Sequence, residues 1–226
     1  MPRLTRATLA EQAYEELHSQ IVSGRRPAGQ RLLAERLANE LAISQTPVKE
    51  ALALLERDGL VETSSRKASA VRRFTREDIL EIYDARILLE LNAIGVGQRA
   101  KRFTPEFFAQ LEKAHEQQKL HAERRTREDL AEALRYDRAF HECIVSLARN
   151  YLMIGWHRTI LNQTQTIRTH SLETYKTPRS WQDHEAVLGA LKRGDYAAAK
   201  RELRTHLTGS CEQLASRRVE DMPEIT

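Results

Sequence analysis

Two cysteines, Cys143 and Cys211, are all the thiols this chain has, too few and too far apart for a disulfide framework or a thiolate zinc site. Glycine and proline are scarce as well, nine and six among 226 residues, and the long runs between them are rich in Ala, Leu, Glu, Lys and Arg. That scarcity excludes a turn-dense, all-β architecture and predicts a mainly α-helical fold. No apolar run approaches the ~18–20 residues that cross a bilayer. Nor does an apolar signal core follow the first residues, so no membrane partner and a cytoplasmic location are expected. Internal repeats, glycine-rich phosphate loops and low-complexity segments are also absent. What remains, 41% hydrophobic and 30% charged residues, suffices for a real core under a soluble surface.

Charge is distributed unevenly. Residues 1–76 hold 13 Lys and Arg against 9 Asp and Glu, whereas residues 77–226 hold 23 of each. The basic excess therefore lies wholly in the first third, as attraction to DNA phosphates requires and as a merely solvated face also permits.

Within that third, residues 43–60 are the most informative. Ser44 is placed to cap a helix, Pro47 is tolerated only in a first turn, and Val48, Ala51, Leu52 and Leu55 recur at helical spacing as a buried stripe. Gln45, Thr46 and Lys49 fall together at the exposed N-terminal end. A short helix anchored by one face and offering amide, hydroxyl and ammonium groups from the other suits a DNA major groove. Helices are predicted before it over 8–23 and 34–41, and Asp58-Gly59 ends it. Two extended runs, Leu60–Ser64 and Ser69–Phe74, follow as a hairpin whose tip carries Arg66 and Lys67. Helix, helix, helix, hairpin is a winged helix-turn-helix.

The pattern then becomes specific: Leu17, Ile21, Gly24, Pro27-Ala28-Gly29, Leu32, Ala34-Glu35-Arg36-Leu37-Ala38, Ser44, Thr46-Pro47-Val48, Glu50-Ala51-Leu52, Leu55 and Gly59-Leu60-Val61. The stretch Tyr14–Val71 resembles the DNA-binding domain of the GntR family of bacterial transcription regulators. The resemblance implies that Arg36 touches DNA. Gln45 and Lys49 stand where the family usually has arginine, and Ala68-Ser69 stand near its usual wing-tip glycine. Arginine reads guanine in a fork, glutamine prefers adenine, and lysine is less directional, so a shifted operator is expected.

From Thr75 the chain reads as helical almost to its end. Thr75 and Asp78 form a capping-box pattern opening a helix to about Val96, and Thr104-Pro105-Glu106 opens another to about Glu123. Further helices are predicted over 127–149, 151–174, 179–193 and 195–216, an antiparallel bundle of about six. The expected organisation is thus a DNA-binding domain over 1–74, a helical effector domain over 75–218 and a tail over 219–226.

Asp137 and His141, four apart, project from one helix face beside Phe140 and Ile144. His184 lies one turn before Leu188, and His206 lies between Leu203 and Leu207. Three imidazoles and a carboxylate suit a divalent ion such as zinc, nickel or manganese, and buried histidines bonded to backbone carbonyls are the alternative. Residues 80–210 resemble the FCD effector domain of the FadR subgroup of GntR regulators. Its metal-binding members carry Asp-x-x-x-His and two later histidines about two dozen residues apart, which implies Asp137, His141, His184 and His206 as ligands. The resemblance also implies that Arg86 faces an effector pocket, where it would clamp a small carboxylate. The competing reading is a helix-surface salt bridge to Glu90. His18, His157 and His170 have no spacing argument.

The function expected is a metabolite-responsive transcription regulator, a repressor, acting as a homodimer on a palindromic duplex operator. The alternatives are a metal-dependent hydrolase or oxygenase built on the three-histidine, one-aspartate centre, or a regulator whose metal is structural or is itself the signal.

Overall fold

The computed structural model describes residues 7–63, 68–124, 126–170 and 180–217. The wing-tip residues Arg66 and Lys67, the Thr177-Pro178 break and the tail from 218 lie outside the described residues. The chain divides into two compact units, Met1–Arg73 with Thr166–Ser171, and Phe74–Gln165 with Leu172–Thr226.

The first unit contains α1 (Leu9–Val22), β1 (Arg31–Leu32), α2 (Ala34–Leu41), α3 (Gln45–Arg57), β2 (Val61–Thr63) and β3 (Ser69–Val71). Thr8 and Glu11 form a capping box at the start of α1. The apolar faces of the three helices meet in one core, with Leu17, Ile21, Leu37, Val48, Ala51 and Leu55 among its buried members. Behind α3, Gly59 adopts φ 69° and turns the chain into the strands, as the Asp58-Gly59 stop requires. The sheet is antiparallel in the order β1-β3-β2, with Val61 opposite Val71 and Arg31 opposite Ala70. Strand β1 has no counterpart in the sequence reading, because two residues are too few to show alternation. This is a helix-turn-helix with a β-wing.

Ser44 corrects an expectation. It occupies the N-cap position of α3 with extended backbone, yet its side chain makes no capping hydrogen bond. A capping hydroxyl accepts from the second or third helical N–H. Here the third helical residue is Pro47, which has no N–H to give. Ser44 is exposed, at the same helix end as Gln45 and Thr46.

The second unit is a six-helix bundle: α4 (Arg76–Arg99), α5 (Pro105–Arg124), α6 (Arg127–Ser146), α7 (Tyr151–His170, whose last turn from Thr166 belongs to the first unit), α8 (Ser180–Lys192) and α9 (Tyr196–Arg217). Thr75 and Asp78 make the reciprocal capping box that the sequence indicates. Arg102 closes the C-terminus of α6 by donating Nη1 to the carbonyls of Leu147 (2.7 Å) and Ala148 (2.9 Å). Among the described residues, no helix is long and apolar enough to cross a membrane.

Candidate functional site

Polar residues are concentrated in the middle of the bundle, where apolar ones would be expected. Asp137 and His141 come from α6, His184 from α8 and His206 from α9, and all four are buried. One ligand atom from each lies within 4.8 Å of the others. The i,i+4 pair on α6 is set by helix geometry, whereas His184 and His206 join it only because α8 and α9 pack together.

Hydrogen bonds on the far side of each ring dictate what the rings offer the centre. His141 Nδ1 lies 2.6 Å from Glu90 Oε2, His184 Nδ1 lies 2.7 Å from Gln118 Oε1, and His206 Nδ1 lies 3.1 Å from Asp183 Oδ2. Carboxylate and carbonyl oxygens only accept, so each Nδ1–H donates. A neutral ring that donates at Nδ1 carries a lone pair at Nε2, and these are the nitrogens that converge. His184 Nε2 and His206 Nε2 stand 3.2 Å apart. His141 Nε2 is buried with no hydrogen-bond partner among the described residues, 3.8 Å from Asp137 Oδ2. Asp137 Oδ1 is 3.9 Å from His184 Nε2. Lone pairs facing one another beside a carboxylate repel unless a cation lies among them. The donor set fits a divalent ion bound by three nitrogens and one oxygen, whose ligands at bond lengths of ~2.1 Å stand roughly 3–4 Å apart.

Protonation agrees with this. Burial, the largest influence, pushes His141 down to about 4, so its ring is neutral near pH 7 as a metal ligand must be. For Glu90, burial alone acts upward, but the Arg86 guanidinium and the hydrogen bonds from His141 and His157 hold the carboxyl well below the usual range. The supporting shell is closed by Gln118, whose Nε2 donates to Asp137 Oδ1 (3.1 Å) and Ser180 Oγ (2.9 Å). Phe140 stacks flat on His184, with centroids 4.1 Å apart and planes 4° from parallel. Supporting partners of this kind fix ring orientation and raise ligand basicity.

Arg86 does pair with Glu90, Nε to Oε1 at 3.0 Å, but not at a helix surface, since both side chains are fully buried. The guanidinium lies over the Tyr83 ring at 5.1 Å. Its Nη1 and Nη2 are buried and have no hydrogen-bond partner among the described residues. Unmet charged donors in a protein interior are costly, and an anion would satisfy them.

Four contributors escaped the sequence reading. Glu90 entered it only as a salt-bridge partner, and His157, whose Nε2 lies 3.1 Å from Glu90 Oε1, only as a histidine without a spacing argument. Gln118 had a signal, since it occupies the buried register of α5 with Leu111, Ala114 and Ala122. Asp183 had none. The thiols play no part: burial raises both, Cys143 to about 12.

In the first unit, Gln45, Thr46 and Lys49 are exposed at the start of α3 while Val48 between them is buried. Arg36 is 77% exposed and donates Nε to Glu40 at 3.2 Å.

The chain thus joins a helix-turn-helix with a β-wing to a six-helix bundle that buries a His/Asp cluster. Residues 9–71 match the gntR family of bacterial regulatory proteins and residues 81–209 match the FCD domain. The chain belongs to the GntR family of transcription regulators with an FCD effector domain. It is 28% identical over 205 residues to a probable D-xylose utilization operon transcriptional repressor of Paenarthrobacter nicotinovorans, covering 91% of this chain and 88% of the relative. To the gluconate operon transcriptional repressor of Bacillus subtilis it is 29% identical over 201 residues, covering 86% and 80%. Among solved structures, E. coli McbR/YncC superposes with a TM-score of 0.78 at 22% identity, covering 94% of this chain and 99% of that one, a likeness of fold. Family membership is consistent with a non-enzymatic, DNA-binding role.

Proposed function

We propose that the protein is a cytoplasmic transcription repressor of the FadR type that binds a palindromic operator as a homodimer and is controlled by a small carboxylate. In this reading residues 1–74 bind DNA and residues 75–218 bind the effector. Ser44, Gln45, Thr46 and Lys49 enter the major groove, while Arg36 and the wing cations Arg66 and Lys67 hold the backbone. Asp137, His141, His184 and His206 hold one divalent ion, zinc, nickel or manganese. When bound, the ion supplies a Lewis acid with positions open to a carboxylate oxygen. Arg86 offers its two unmet nitrogens to the same class of ligand.

The observation that carries the reading is the convergence of three Nε2 lone pairs on Asp137, each ring held by an acceptor at Nδ1. Two relatives named as repressors of sugar and sugar-acid operons support the regulatory half. A homodimer is supported by an apolar surface on adjoining helices: Leu88 of α4 is 71% exposed, and Tyr151 and Trp156 of α7 are 82% and 59% exposed. Asn92 on α4 donates to the Met153 sulfur on α7, so the two helices touch at this point.

Selection from a random duplex library at moderate salt tests the proposal. The expected product is a palindrome with half-sites about one helical turn, ~34–36 Å, apart. A single unrepeated motif would contradict the dimer. Weak binding without a motif, lost as salt rises, would reduce the basic excess to a non-specific footprint.

A further inference from the structure

Glu90 is fully buried and serves three nitrogens with one carboxylate. Oε2 accepts from His141 Nδ1 at 2.6 Å, and Oε1 accepts from Arg86 Nε at 3.0 Å and faces His157 Nε2 at 3.1 Å. It therefore stands between the metal cluster and the only guanidinium among the described residues whose two terminal nitrogens are both buried and unmet. Supporting a ligand histidine is one task and holding an arginine is another, and here one carboxylate performs both.

Its negative charge is divided between the two. The more Arg86 draws on Glu90, the less Glu90 polarises the His141 Nδ1–H bond, and the less basic His141 Nε2 becomes. An anion on Nη1 and Nη2 would relieve that draw. Resting on the reading of Asp137, His141, His184 and His206 as metal ligands, we propose that Glu90 is a positioning residue that couples Arg86 to the metal centre. Neutralising Arg86 strengthens ion binding, and ion binding strengthens anion binding at Arg86, without the anion having to touch the ion. Reciprocity follows because coupling free energy is shared equally between two binding equilibria.

A double-mutant cycle on the full chain isolates this path. Zinc affinity is measured by competition with a chromophoric chelator for wild type, Glu90→Gln, Arg86→Met and the double variant, with circular dichroism as the control for folding. Glutamine removes the charge that polarises His141, so zinc affinity should fall about 10–100-fold, the usual cost of losing such a partner. Methionine removes the competing guanidinium while filling its space, so zinc should bind several-fold tighter. In the double variant the gain from Arg86→Met should vanish.

A merely structural Arg86 predicts the opposite sign, weaker zinc binding in Arg86→Met, and that result would overturn the proposal. So would Glu90→Gln binding zinc as wild type does, or a gain from Arg86→Met that persists in the double variant. Should Glu90→Gln fail to fold, weaker zinc binding in Arg86→Met would still overturn the proposal. Wild-type protein without tight zinc binding would overturn the metal reading itself, and the coupling with it.

Discussion

Replacing His206 with alanine should empty the metal centre while leaving operator binding intact. His206 is one of four buried residues that could hold the ion, and its Nε2 lies 3.2 Å from that of His184. Losing a hydrogen-bonding partner of a ligand costs about 10–100-fold in metal affinity, and losing the ligand itself should cost more. The substitution leaves Asp183, 53% exposed, free to turn to water, so no charge is stranded in the interior. Metal per chain measured by plasma emission after dialysis should fall from about one to near zero, and any carboxylate response should disappear with it. Full metal content and a normal response in a folded His206→Ala protein would remove His206 from the site.

The second large effect should appear on the DNA side alone. Lys49→Ala removes an exposed ammonium from the start of α3, and the core behind it, Val48, Ala51, Leu52 and Leu55, is untouched. Operator affinity measured by fluorescence anisotropy should drop about 10–100-fold, with metal content unchanged. Salt dependence then distinguishes how Lys49 works. A base contact predicts a larger loss on operator than on unrelated duplex. A phosphate contact predicts equal losses on both and a salt slope shallower by about one for each lysine removed. Unchanged operator affinity would mean that another face of the first unit meets DNA.

Much of this architecture is legible in the sequence, because its signals are local. The Thr75–Asp78 box starts α4, Pro105 opens α5, and the apolar stripe of α3 is buried as its spacing indicates. At Ser44 a local detail counts against the cap, since Pro47 removes one of the two N–H groups it could have accepted from. Strand β1 was hidden because it exists only through its pairing with β3. In the bundle, the four candidate ligand residues are indicated by sequence distance on α6 and, for His184 and His206, by the family pattern. Their supporting partners are not. Glu90 reaches His141 from 51 residues away and Gln118 reaches His184 from 66, contacts that exist only once the helices have packed. The spacing of Arg86 and Glu90 foretold their pairing, but burial, which turns an ordinary surface bridge into a charged network, is a property of the assembled bundle.

The most direct test of a metal-dependent, carboxylate-responsive regulator is operator affinity measured across a panel of mono-, di- and hydroxycarboxylates, with the ion loaded and again after chelation. At least one carboxylate should change operator affinity of the loaded protein several-fold, and the change should be lost when the ion is stripped from folded protein. An identical response before and after stripping, or none anywhere in the panel, would contradict that reading.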